Sequence, residues 1–138
     1  MCEKTKVHGE MTLMNNEKAC VQYTELSGLT ATPGELLIML FNAEIKNIKK
    51  AILNINAGNI VDAHNALKKA QAIITELITS LDDKYEISKE LKPIYFFIKR
   101  ELITANVKKD AERLEKILPI ITELRDTWKE ANRLSRVK

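Results

Sequence analysis

The 138-residue chain is predicted to be all-α, an antiparallel up-and-down four-helix bundle with a flexible N-terminal segment. Three observations carry that expectation. Apolar residues return in steps of three and four through four separate stretches, the repeat of one helix face. Capping residues stand at the starts of several of these stretches. Only four Gly and three Pro interrupt the chain, so long unbroken elements follow.

Residues 1–22 are polar, lack periodicity and carry Gly9 and the pair Asn15-Asn16, and are expected to form a mobile tail. The bundle domain is assigned to 23–138, with Tyr23 to Ala31 as its lead-in. The first helix opens on Thr32-Pro33-Gly34-Glu35, a capping box with Pro at the first helical position. Its stripe runs Leu37, Phe41, Ile45, Ile48, Ile52 and Ile55, and Gly58 ends it as a left-handed cap. Asn59 is expected to cap the second helix, where Ile60, Ala63, Leu67, Ala70, Ile74, Leu77 and Leu81 form a heptad seam. Asp82-Asp83-Lys84 marks a turn. A third helix carries Leu91, Tyr95, Ile98, Leu102 and Ala105. Pro93 conflicts with a start at Ser88, so this helix either begins near Glu90 or is kinked at the proline. Asp110 caps the fourth, whose stripe is Leu114, Ile117, Ile121, Leu124, Trp128 and Ala131. Pro119 falls on the opposite side of that helix and should bend it rather than end it. Matched lengths and short connections give the up-down-up-down order.

Lys and Arg total 22 against 19 Asp and Glu, a net +3 that is too small and too mixed to point to nucleic acid. No run approaches the roughly 18 apolar residues of a membrane span, and the N-terminus lacks the apolar stretch of a signal peptide. Cys2 and Cys20 are too few for a disulfide framework, which favours reduced thiols and a cytoplasmic location. A di-metal bundle needs inward Glu-x-x-His pairs, yet His64 has Val61 three residues before it and reads as a helix-surface residue. No phosphate loop or nucleophile motif is present. No enzyme activity, cofactor or metal is therefore expected.

What remains is apolar surface. On the third helix Phe96, Ile103 and Val107 flank the core stripe, with Arg100 among them and Lys99 beside them. On the second, Ile73 and Ile78 flank the seam, with Leu77 in it. These residues either widen the core to three positions per heptad or line a groove that accepts an amphipathic helix. The candidate groove is Ile73, Leu77, Phe96, Arg100, Ile103 and Val107. Trp128 is placed at the core edge, and Tyr95 in the core with its hydroxyl at a polar edge. Nothing local explains Tyr23.

In this order and spacing the segments resemble the family of the flagellar secretion chaperone FliS. They are Tyr23 to Phe41 (YTELSGLTATPGELLIMLF), Lys68 to Asp82 (KKAQAIITELITSLD), Leu91 to Tyr95, Leu102 to Asn106, and ELRDTWKEA around Trp128. The chain departs from the family pattern in lacking glycines near Lys84, in Phe41 where Tyr is common, in Lys89-Glu90 and in a longer tail. The resemblance implies a cytosolic, non-enzymatic export chaperone. Its client would be the disordered C-terminal region of flagellin, kept from premature polymerisation and delivered to the type III export apparatus. Components of that apparatus or a second flagellar protein are further possible partners, and an empty groove also suits a homodimer. The family's N-terminal segment covers apolar surface until the client displaces it, which would make Tyr23 a plug. The alternative is a helical adaptor or regulator that sequesters another flagellar or regulatory protein.

Overall fold

A computed structural model describes residues 32–137. Its four helices are α1 (Pro33–Asn56), α2 (Ile60–Thr79), α3 (Glu86–Lys108) and α4 (Ala111–Val137), with no strand among the described residues. The expected tail over 1–22 and the lead-in containing Tyr23 lie outside the described residues.

The start of α1 follows from its first four residues. The Thr32 hydroxyl accepts from the Glu35 N–H at 3.1 Å, and the Glu35 carboxylate accepts from the Thr32 N–H at 3.0 Å. Two N–H groups left over at any helix start are thereby satisfied. The end is set by Gly58, at φ 82°. The Gly58 N–H donates to Ile55 and the Asn59 N–H to Asn54, the paired bonds of a Schellman end. Asn59 does precede α2, but its side chain makes no capping bond. The amide is instead given to the Asn54 side-chain oxygen at 3.2 Å, so the expected side-chain cap is absent.

The turn into α3 is built on Asp82, whose carboxylate accepts from the Lys84 N–H at 3.0 Å while its carbonyl accepts from Tyr85. α3 then begins at Glu86 and runs through Pro93, which decides the question left open by the sequence. Pro93 and Lys89 are both exposed, so water can take the carbonyl that the missing N–H leaves unbonded. Lys109 closes α3 in the left-handed region, at φ 51°. That conformation costs a non-glycine residue about 1 kcal/mol. Here the Lys109 ammonium offsets it by donating to the carbonyl and side chain of Asn106, at 2.6 and 2.9 Å. Asp110 then accepts from the Arg113 N–H at 3.2 Å and opens α4. Pro119 is exposed inside a continuous α4.

Each helix packs on two neighbours, α1 on α2 and α4, and α3 on the same two, so the cross-section is a square. Phe41, Leu67, Ile74, Ile98, Leu102, Leu114 and Ile121 are fully buried along its axis. Each such side chain contributes roughly 1.5–3 kcal/mol over its exposed state. Phe41 and Tyr95 meet edge-to-face across the α1–α3 diagonal, centroids 6.2 Å apart. The Tyr95 hydroxyl leaves the core to accept from the Trp128 indole N–H at 3.2 Å. Burial pushes that phenol above its ordinary pKa. One interior group breaks the pattern. Glu44 on α1 is 0% exposed, and neither carboxylate oxygen has a hydrogen-bond partner among the described residues. Desolvation holds its pKa well above the usual carboxylate range.

Candidate functional site

Two polar pairs orient α3 in the square. His64 of α2 contacts Asn106 of α3 through Nδ1 and Oδ1 at 3.3 Å. Arg113 of α4 donates to Glu101 of α3 at 3.0 Å. Asn106 and Glu101 lie on opposite flanks of the α3 core stripe at about 100° per residue. One flank therefore turns toward α2 and the other toward α4.

Phe96, Ile103 and Val107 fall on the α2 side and outward, with 43%, 42% and 79% of their surfaces exposed. Arg100 is exposed on the outermost line of the helix, its guanidinium 5.9 Å from the centroid of the Phe97 ring. These four expected groove residues thus share one outer face of α3. The other two do not join them. Ile73 is 8% and Leu77 0% exposed, both inside the core cluster. On α2 the flank bearing Ile73 and Leu77 turns away from His64, which itself faces α3, and so toward α1. Ile73 and Leu77 pack within the core and leave at most 8% of their surfaces exposed. The α2 wall beside Phe96 and Ile103 consists instead of His64, Lys68, Gln71, Thr75 and the half-buried Ile78.

A second row of exposed apolar residues was not singled out from the sequence. Ile87, Ile94 and Phe97 lie on the α4 side of α3, at steps of seven and three that a wider search for flanking stripes would have found. Both outer edges of α3 therefore carry apolar surface, far more than a solvated helix needs.

Near the start of α1, an open hollow of ≈ 510 Å³ is lined by Pro33, Gly34, Leu37, Trp128 and Asn132, among others. It adjoins Thr32, the first described residue. Tyr23, the expected plug, lies outside the described residues. No group of three or more His, Cys, Asp or Glu among the described residues is arranged to hold a metal ion. None of the described helices is long and apolar enough to cross a membrane.

Residues 14–135 match the family described as flagellar protein FliS. The chain is 38% identical over 109 residues to the flagellar secretion chaperone FliS of Bacillus subtilis (strain 168), covering 79% of this chain and 82% of that protein. It is 30% identical over 109 residues to the protein of the same description from Salmonella typhimurium, covering 77% and 81%. For that of Escherichia coli (strain K12) the figures are 29% over 110 residues, covering 78% and 81%. With its four helices in the expected order, the chain belongs to the FliS family of flagellar secretion chaperones, a family of chaperones and not of enzymes.

Proposed function

We propose that this chain is a cytosolic export chaperone whose client is the disordered C-terminal region of flagellin. It holds that region as helices against the outer faces of α3, prevents premature polymerisation and assists type III export. The observation that carries this reading is the exposed apolar face of Phe96, Ile103 and Val107, at the spacing that an amphipathic helix presents in return. Ordering a disordered segment is costly, so useful affinity needs a large wrapped surface. The second apolar row, Ile87, Ile94 and Phe97, extends the surface available for wrapping.

The N-terminal segment would act as a displaceable cover. Eight residues lie between Tyr23 and Thr32, nine steps along the chain and a reach of up to about 30 Å at about 3.3 Å per step. That places the hollow beside Trp128 and much of the bundle surface within range of Tyr23.

The test is titration of the full chain with a peptide of roughly the last 50 flagellin residues, of the length a wrapped client needs. Heat and Trp128 fluorescence are followed together. Trp128 is half-buried against Tyr95 and borders the hollow, so occupancy nearby changes its emission. Saturable binding supports the proposal. A folded chain that shows no heat and no spectral change refutes it.

A further inference from the structure

The carboxylates of α2 and α3 are confined to one side of each helix, whereas cations occur on both sides, Lys69 and Lys108 lying with the carboxylates, although the chain as a whole is nearly balanced at +3. The α3 flank toward α2, and the outer line beside it, carry Lys89, Lys92, Lys99 and Arg100 among Phe96, Ile103 and Val107. The three carboxylates of α3, Glu86, Glu90 and Glu101, all fall on the other side, toward α4. The same holds across the groove. The α3-facing flank of α2 carries His64, Lys68, Gln71 and Thr75, while its carboxylates Asp62 and Glu76 fall on the opposite, α1-facing side.

Lys92 is taken by Asp83 of the neighbouring turn at 2.8 Å. Lys68 and Lys99, along the middle of the groove, form no ion pair with any described residue, and neither does Arg100, whose guanidinium lies over Phe97 on the outer line of α3. An apolar strip edged by uncompensated cations, with no carboxylate on either wall, rewards one kind of helix. It needs an apolar face for Phe96, Ile103 and Val107 and carboxylates along the borders of that face. A polyanion such as nucleic acid would meet the cations but leave the three apolar side chains against phosphate, with no stacking row of aromatics to use.

We propose that the α2/α3 groove selects helices whose apolar face is flanked by Asp or Glu, with Lys68 and Lys99 setting the preference from the two walls. This rests on the reading that the outer face of α3 receives a client helix. The charges act at the rim, so they steer and discriminate while the apolar strip supplies most of the affinity.

Two synthetic helical peptides with the same Leu/Ile face, one flanked by Glu and the other by Lys, are titrated into the full chain. The Glu peptide is expected to bind about tenfold tighter at low salt, with the advantage shrinking as salt is raised. Lys68→Glu with Lys99→Glu should reverse the order. Lys68→Gln with Lys99→Gln, a milder pair that keeps the fold if the reversal does not, should abolish the difference. Equal binding of both peptides, a preference for the Lys peptide, or a short RNA or DNA duplex that binds while the Glu peptide cannot displace it, each overturns the proposal. The flagellin peptide separates the two claims. A chain that ignores flagellin yet prefers the Glu peptide retains the charge rule and loses the client. One that binds flagellin without any charge preference loses the charge rule alone.

Discussion

Replacing Glu44 is the sharpest test of the core as described. Its side chain is wholly buried, and both carboxylate oxygens lack hydrogen-bond partners among the described residues. An unsatisfied buried polar group costs on the order of 1–3 kcal/mol. Glu44→Leu removes that cost and fills similar volume, so it should stabilise the bundle by about that amount. In a domain of this size the gain corresponds to a rise in Tm of about 4 °C per kcal/mol, between the ranges for smaller and larger domains. Glu44→Gln isolates ionisation. The folded-state pKa is raised above the ordinary value of 4.5. Between about pH 4.5 and the raised folded value, the native state therefore holds a proton that the unfolded state has lost. Stability falls as pH rises through that window, by up to about 1.4 kcal/mol per pH unit. Below the window both states are protonated, and the effect vanishes. Urea unfolding of wild type and Glu44→Gln at intervals from about pH 4 to 8 measures the difference, since every other titrating group is common to both. The gap between the two proteins should open above about pH 4.5 in favour of the glutamine variant. A gap that stays constant with pH, or a leucine variant less stable than wild type, would show that Glu44 is solvated or paired in the folded protein and refute its desolvated burial.

Phe96→Glu with Ile103→Glu should abolish client binding while moving stability by less than about 1 kcal/mol, because both side chains are already more than two-fifths exposed. Thermal melts and the flagellin titration, run on the same preparation, check both halves. Leu77→Ala should do the reverse at the level of the fold, costing about 2–5 kcal/mol in urea unfolding, since Leu77 is fully buried. A cost below 1 kcal/mol would return Leu77 to the surface. Thr32→Ala breaks one half of the capping box and should cost about 1 kcal/mol. Hydrogen exchange should show the loss as fraying confined to the first turn of α1.

The division between what was legible in the sequence and what was not falls along a physical line. Helix identity and order, the Thr32 box, the Gly58 end and the Asp110 start depend on neighbours a few residues away. Periodicity and capping chemistry report such short-range terms directly. The core stripes were legible for the same reason: a residue on the centre line of an apolar face is buried whatever helix lies opposite. The flanks were not. Ile73 and Phe96 both sit to one side of a seam, and their sequence neighbourhoods do not separate them. Ile73 turns toward α1 and is covered, whereas Phe96 lies on the outer edge of α3 and stays 43% exposed. Glu44 is the extreme case, a charged residue type between Asn42 and Lys46 that the packing of α1 buries completely. By itself the sequence determined four amphipathic helices, their order and the ends marked by Thr32, Gly58 and Asp110, while the start of α3 stayed open at Pro93. Only tertiary structure decided which flanking residues became core, which were left as an apolar face, and that Lys68 and Lys99 face each other across a groove whose walls carry no carboxylate. Those outcomes depend on how each helix is rotated against its neighbours, and that rotation is set by packing between residues distant in the chain.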